Sequence, residues 1–158
     1  MFWTALFYIV FLSVAPGETK DHDPSTVIVT ELGSLQVGEP LPSFNGQTIL
    51  GGRLSSRSII GQGHVIVVSY AATWCQPCRY GLPIIERVVH GDNGVQAVYV
   101  ALDTEIMKVR KWAGDMDIRS PIIVDRFNAI AKRHGVVDED AQQPTEIPIT
   151  IVVDGQGT

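Results

Sequence analysis

The sequence predicts an α/β fold in which buried strands alternate with helices. Two continuous apolar runs, "GHVIVVSYAA" and "VQAVYVALD", are typical of strands covered on both faces of a sheet. The segments that follow them, "RYGLPIIERVV" and "TEIMKVRKWAGDM", carry apolar residues at helical spacing. This order of strand, helix, strand and helix predicts a central sheet that is flanked by helices.

The shorter elements complete this arrangement in chain order. Ahead of the first buried strand, "VGEPLPSF" and "QTILGG" predict a turn and short strands. After the second helix, which closes near Gly114, "SPIIVD" predicts a short strand and "FNAIAKRHG" a helix that ends at Gly135. The last segment, "IPITIVVDGQG", predicts a strand that enters a turn.

Composition bounds the class of protein. A chain of 158 residues, 45% of them hydrophobic, can bury one sizeable core, so we expect one folded domain. The formal net charge of −5 and the scattered positions of the 12 Lys and Arg residues argue against nucleic acid as a partner. Two cysteines are too few for a disulfide-rich scaffold or a four-cysteine zinc site, but they can form one disulfide.

The N-terminal segment predicts export. The apolar stretch Phe2–Val14 is shorter than the roughly 20 residues that span a membrane, and it has the length of a signal-peptide core. No Lys or Arg precedes it and Pro16 would hinder cleavage, so an uncleaved membrane anchor and a buried helix stay open as alternatives. We expect a signal peptide or anchor at 1–15, a linker or added strand at 16–36, and the folded domain at 37–158. An exported chain would meet an oxidising compartment, such as the periplasm.

Both cysteines lie in the stretch "YAATWCQPCRYGLP". Cys75 falls where a buried strand ends and a helix begins, so unpaired N–H groups and the helix dipole favour its thiolate. Cys78 lies one turn further on the same side, and Pro77 suits the first turn of a helix. A scaffold disulfide and half of a zinc site are the alternatives, although the four histidines form no closely spaced pair. We favour a redox-active pair and expect no bound metal.

The segment "ATWCQPCRYGLP" resembles the active site of the thioredoxin-like superfamily, and most closely its exported TlpA/ResA-like branch of thiol-disulfide oxidoreductases. The lead-in "VGEPLPSFNGQTILGGRLSS" is similar to that branch, and "EIPITIVVDGQG" is similar to the segment that carries the family's cis-proline, here Pro148. The resemblance implies a thioredoxin-like fold for 37–158, with a central mixed sheet flanked by helices. In that fold an edge strand and a last helix follow the cis-proline strand, so we expect this domain to lack both.

The resemblance also implies roles for individual residues. Cys75 would be the nucleophile and Cys78 the resolving cysteine, with their disulfide as the only redox centre and no separate cofactor. Pro148 would be cis, beside the cysteines, and would present the backbone of Ile147 to an extended substrate. Trp74 would shield the Cys75 sulfur and contact substrate, although a large apolar side chain can also simply pack. Pro77 would belong to the same substrate-binding surface.

Two positions depart from the family pattern. Thioredoxins bury an acidic residue where this chain has Ser69, and many TlpA/ResA-like members carry Glu where it has Gly81. The proton acceptor for Cys78 therefore stays open between Asp103, Glu86 and solvent. For both carboxylates we favour an ordinary surface or strand-end role. Arg79 would either support the Cys75 thiolate or lie solvated on the helix surface.

The predicted function is reduction of disulfides in exported proteins, with electrons from a membrane or periplasmic thiol-disulfide donor and possible membrane anchoring by residues 2–14. Three other classes of protein stay open as alternatives. A peroxiredoxin would need a P-x-x-x-T-x-x-C loop, but Thr73 lies only two residues before Cys75. A thioredoxin-like copper(I) metallochaperone would space its thiolates more widely and add a late histidine, for which His134 is the one candidate. A non-catalytic binding module would keep the fold and an incidental disulfide.

Overall fold

A four-stranded mixed sheet forms the centre of the molecule. The structure is a computed structural model that describes residues 31–32, 35–138, 140 and 146–158. The strands of the sheet are β5 (Val65–Ala71), β6 (Val95–Ala101), β7 (Ile122–Val124) and β8 (Ile149–Val153). Their order is β7-β6-β5-β8, with β5, β6 and β7 parallel and β8 antiparallel to β5. The predicted central mixed sheet is therefore confirmed.

Helices cover the sheet, as the sequence predicts. They are α1 (Gln76–Gly91), α2 (Ile106–Asp115) and α3 (Ala129–Arg133). On one face, Leu82 of α1 and Trp112 of α2 belong to a core that includes both cysteines. On the other face, Ile130 of α3 and Phe44 contribute to a second core. The continuous apolar runs of β5 and β6 result from this burial on both faces.

Short antiparallel hairpins precede the sheet. The first joins β1 (Glu31–Leu32) to β2 (Leu35–Gln36), and the second joins β3 (Asn45–Gln47) to β4 (Arg53–Ser55). The prediction of a strand in "QTILGG" is largely wrong, because Thr48 and Gly52 close the turn between β3 and β4 and Gly51 has φ +95°. That left-handed backbone suits glycine and ends the strand.

The second hairpin lies very close to β7. A Cβ added to Gly46 would lie 2.2 Å from Cγ2 of Ile123, so only glycine fits there without displacing its neighbour. An isolated bridge between Thr48 and Ile123 extends this contact. The "VGEPLPSF" and "QTILGG" region thus packs beside the central sheet.

The predicted signal peptide or anchor at 1–15 lies outside the described residues, as does most of the predicted linker at 16–36. The part of that linker which the structure describes forms β1 and β2. Of the proposed added strand "STVIVTEL", only Glu31 and Leu32 are described, and they pair with β2 rather than with the central sheet. Among the described residues, none of the helices has the length and hydrophobicity needed to traverse a bilayer.

The C-terminal segment forms the predicted strand and turn. In the described part of the chain, β8 pairs with β5 on one side only, which makes it an edge strand, and Val152 on it is 64% exposed. After β8, the Asp154 carboxylate accepts hydrogen bonds from the backbone N–H groups of Gln156, Gly157 and Thr158. These bonds hold the turn and lower the pKa of Asp154.

Candidate active site

Both cysteines lie at the junction of β5 and α1, and they form a disulfide with an S–S distance of 2.00 Å. Cys75 is the residue that caps α1, and its N–H donates to the carbonyl of Ala72 over 3.0 Å. The N–H of Cys78 donates to Cys75 Sγ over 3.2 Å. Pro77 occupies the first turn of α1. The N–H groups of a first turn have no hydrogen-bond partner within the helix, so a proline, which lacks this group, is tolerated there. The helix start thus directs a backbone donor at the Cys75 sulfur.

Access to the disulfide comes from the side of Cys75. Cys75 is 4% exposed, whereas Cys78 is completely buried beneath it. Trp74 is 49% exposed directly before Cys75, and Pro77 is exposed between the two cysteines. The exposed Trp74 ring is consistent with a contact surface for a substrate rather than with a role in the core.

The loop before β8 completes this side of the site. The Ile147–Pro148 peptide bond is cis, which confirms that expectation, and the Ile147 carbonyl oxygen lies 3.5 Å from Cys75 Sγ. A sulfur in a disulfide carries no proton, so this approach is a van der Waals contact rather than a hydrogen bond. The fold thereby brings Ile147 and Pro148 to Cys75 across 72 positions of sequence.

Asp103 holds the loop on the other side of the cysteines. It follows β6, next to the end of β5, and its carboxylate accepts hydrogen bonds from Thr73 N–H (2.9 Å) and Thr73 Oγ1 (2.7 Å). The strand-end role that we favour for Asp103 is therefore confirmed. Its pairing with Thr73 was not predicted from the sequence, although the carboxyl ends of neighbouring parallel strands meet at one edge of a sheet.

Glu86 does not have the surface role that we favour from the sequence. It is 5% exposed on the inner face of α1 and accepts hydrogen bonds from Tyr99 Oη (2.8 Å) and from the N–H groups of Arg119 (2.8 Å) and Ser120 (3.3 Å). His90 Nε2 lies 3.0 Å from the same carboxylate. Burial raises the pKa of Glu86, but these hydrogen bonds outweigh it and the pKa lies below its ordinary value.

The two departures from the family pattern leave no carboxylate at either position. Ser69 is completely buried, and its hydroxyl lies 3.0 Å from the hydroxyl of Thr150 on β8. Gly81 lies in the interior of α1 with open space around its Cα. Among the described residues, the hydrogen bonds of Asp103 and Glu86 go to other partners than Cys78.

A cleft of about 290 Å³ opens beside the cysteine motif, between α1 and α2. Its lining consists of Thr73, Arg79, Lys108, Lys111, Trp112 and Asp115. Arg79 is exposed and lies on the helix surface next to Cys78. No function was predicted for Trp112 or for the two lysines, because only the packing of α2 beside α1 brings them near the cysteines.

Candidate metal ligands in the described part of the chain lie apart from one another or in pairs. No group of three or more His, Cys, Asp or Glu side chains there is arranged to hold a metal ion. His134 is completely buried, with Nδ1 hydrogen-bonded to Tyr70 Oη and Nε2 2.9 Å from the carbonyl of Pro42. Since a carbonyl only accepts, Nε2 carries the proton and Nδ1 accepts from Tyr70. His134 is thus a satisfied core residue on the face of the sheet opposite the cysteines.

Comparison with known proteins agrees with this geometry. The chain is 21% identical over 130 residues to the thiol-disulfide oxidoreductase ResA of Bacillus thuringiensis subsp. konkukian. This alignment covers 81% of this chain and 69% of ResA. It is 29% identical over 121 residues to the thioredoxin-like protein YneN of Bacillus subtilis, covering 74% of this chain and 69% of YneN. The chain thus spans about two thirds of the length of these relatives.

Solved structures share the fold. A secreted disulfide oxidoreductase of Mycobacterium tuberculosis, described as homologous to Escherichia coli DsbE, superimposes with a TM-score of 0.62 at 18% identity and covers 73% of this chain and 78% of its own. A protein of Chlorobium tepidum described as a thiol:disulfide interchange protein DsbE gives a TM-score of 0.67 at 22% identity. The superposition covers 78% of this chain and 82% of that protein.

The family itself is established by a family model. The model of the AhpC/TSA family matches residues 37–158, which include every strand of the central sheet and both cysteines. Its relatives and its fold are those of thiol-disulfide oxidoreductases. The chain belongs to the AhpC/TSA family and is a thioredoxin-like thiol-disulfide oxidoreductase.

Proposed function

We propose that this protein reduces disulfides of exported proteins through a dithiol-disulfide cycle of Cys75 and Cys78. The observation that carries the proposal is the geometry around Cys75. This residue caps α1, receives the Cys78 N–H, and lies 3.5 Å from the backbone oxygen that precedes the cis-proline. The exposed Trp74 beside it supplies an apolar surface for a polypeptide.

The cycle begins with the reduced protein. The Cys75 thiolate attacks one sulfur of the partner's disulfide, that S–S bond breaks, and the other partner sulfur leaves as a thiolate. Cys78 then loses its proton and attacks Cys75 in the mixed disulfide, which releases the second partner thiolate. Two electrons have moved to the partner, its two thiolates take up protons, and Cys75–Cys78 is a disulfide. A thiol-disulfide electron donor that reduces this disulfide completes the cycle.

Export is part of the proposal. The apolar stretch Phe2–Val14 supports it, as does the description of one structural neighbour as secreted. In an oxidising compartment a reductase finds disulfide-bonded clients, whereas in the cytosol it would find few. Residues 2–14 would direct the chain there, either as a signal or as an anchor.

An insulin-reduction assay with dithiothreitol tests the activity. We expect the wild-type protein to accelerate the appearance of insoluble insulin B chain, and Cys75→Ser to reduce the rate to that of dithiothreitol alone. Hydrogen peroxide consumption, followed in parallel with the same reductant, separates this activity from that of a peroxide reductase. An unaccelerated insulin reaction, or peroxide turnover that exceeds disulfide turnover, would contradict the proposal.

A further inference from the structure

The cleft between α1 and α2 lies on the opposite side of the cysteines from the cis-proline. In the sheet, β8 and β6 flank β5 on opposite sides. Pro148 precedes β8, whereas Thr73 of the cleft is tied to Asp103 at the end of β6. A polypeptide that crosses Cys75 from the Pro148 side therefore continues towards this cleft.

Cationic side chains surround the cleft although the whole chain carries a formal net charge of −5. Arg79, Lys108 and Lys111 contribute to the lining, against one carboxylate, that of Asp115. Lys111 pairs with Asp115 at 2.8 Å, and Lys108 pairs with Glu105 at 2.5 Å. None of the salt bridges within the described residues involves Arg79. Arg79 thus offers an uncompensated charge one residue after Cys78.

The wall of the cleft includes a buried donor. Trp112 is 3% exposed, and its indole N–H is a buried side-chain donor for which the described chain supplies no acceptor. A guanidinium without a salt-bridge partner at the edge of a cleft is suited to an acidic side chain, whose carboxylate pairs with the cation. A basic side chain at the same place would be repelled mainly by Arg79, because Lys108 and Lys111 already pair with carboxylates.

We propose that this cleft is a subsite for an acidic side chain of the polypeptide whose disulfide Cys75 attacks. The inference rests on the proposed reductase function and adds to it a preference for clients that carry acidic residues. Acidic residues near the client's cysteine would pair with Arg79, and Lys108 and Lys111 would add a weaker attraction. The subsite acts on binding and leaves the sulfur chemistry unchanged.

The test uses the reduced full chain and three disulfide substrates. Two are peptides, each closed by one disulfide and identical except for Glu or Gln beside the cysteines, and the third is hydroxyethyl disulfide, which is small and neutral. We expect kcat/KM to be higher for the Glu peptide. In Arg79→Gln this preference should fall by about twofold to fivefold, as for loss of an exposed charge pair. The rate with hydroxyethyl disulfide, which has no charge to pair with Arg79, separates this loss of binding from any effect of Arg79 on the Cys75 thiolate.

Arg87→Gln is the matched control, because Arg87 is exposed on the same helix and does not line the cleft. It should keep the preference of the wild type, whereas Arg79→Glu should transfer the preference to a peptide with Lys at those positions. Equal kcat/KM for the Glu and Gln peptides in the wild type, or equal losses in the Arg79 and Arg87 variants, would overturn the subsite. If the protein reduces neither the peptides nor hydroxyethyl disulfide, the proposed function fails and the subsite fails with it.

Discussion

Cys75 and Cys78 differ in their surroundings although only two residues separate them. Cys75 caps α1 and receives a backbone N–H, while Cys78 is completely buried in the core one turn later. Donors and the positive end of a helix stabilise a thiolate, and burial among apolar groups favours the neutral thiol. Position at the helix start thus predicts different roles for the two cysteines.

In the reduced protein we therefore expect Cys75 to be alkylated first. Iodoacetamide labelling between pH 6 and 7, read by mass spectrometry, should show modification of Cys75 well before Cys78, because only the thiolate reacts. Labelling of the unfolded protein is the control, since both thiols then have ordinary pKa values. Preferential modification of Cys78 in the folded protein would reverse the assignment.

His134 predicts a pH dependence of stability. Burial lowers the pKa of His134 below its ordinary value of 6.5, against the opposing effect of the hydrogen bond to Pro42. Below about pH 6.5 the unfolded chain binds a proton at this histidine that the folded chain does not, so the free energy of unfolding decreases as the pH falls. Above about pH 6.5, the contribution of the neutral, buried His134 to the free energy of unfolding is fully present.

Urea unfolding at pH 5 and pH 7.5 measures this effect. His134→Gln should be less stable at pH 7.5 and should lose less on going to pH 5, because it has no imidazole to protonate. His64→Gln serves as the control at a histidine that is less buried. The same pH dependence in the wild type and in His134→Gln would rule out His134 as its source.

At the scale of elements, Glu86 connects α1 to β6 and to the segment before β7. Its carboxylate accepts from Tyr99 on β6 and from two backbone N–H groups at Arg119 and Ser120. A buried carboxylate with several donors stays ionised and fixes the position of the helix on the sheet. The start of α1 carries the cysteines, so this attachment also supports the site.

Glu86→Gln should therefore destabilise the fold. The Gln carbonyl oxygen can still accept from both backbone N–H groups, because these share Glu86 Oε2, but the NH₂ group would face the hydroxyl of Tyr99. The charge-assisted hydrogen bonds become neutral ones, which costs about 1–2 kcal/mol of unfolding free energy. Glu105→Gln is the matched control, because its pair with Lys108 is exposed and worth about 0–1 kcal/mol. Chemical denaturation of both variants at pH 7 gives the comparison, and equal losses would show that the Glu86 hydrogen bonds contribute nothing beyond a surface pair.

At the scale of the whole molecule, two separate segments meet at Cys75. The end of β5 with the start of α1 supplies the cysteines and Trp74, and the loop before β8 supplies Ile147 and Pro148. Under the proposed cycle, we expect a client that forms a mixed disulfide with Cys75 to stay attached until the buried Cys78 attacks. Removal of Cys78 should leave capture intact and prevent release.

Cys78→Ser should consequently accumulate mixed disulfides with client proteins, while Cys75→Ser should trap far fewer. Non-reducing gels of cells that express each variant, followed by mass spectrometry of the trapped bands, make the comparison. Clients with acidic residues near the trapped cysteine are expected from the Arg79 subsite. Equal trapping by the two variants would contradict an ordered nucleophile and resolving cysteine.

Much of the architecture was predictable from local patterns. The apolar runs of β5 and β6, the helical spacing of α1 and α2, and the position of Cys75 between a strand and a helix all depend on residues close together in the sequence. The resemblance of "EIPITIVVDGQG" to the family's cis-proline segment added the cis-proline at Pro148, and the structure contains it. Local periodicity is sufficient here because each element has one face, or two, that must be buried.

Tertiary structure alone decided the rest. The burial of Glu86, the bonds between Asp103 and Thr73, and the cleft that joins Arg79 to Trp112 all link residues that the sequence keeps apart. These contacts depend on the pairing of β5 with β6 and on how α1 and α2 pack against one face of the sheet. A residue pattern shows which side chains prefer burial, but a carboxylate is buried only where the fold supplies donors, and those donors come from elsewhere in the chain.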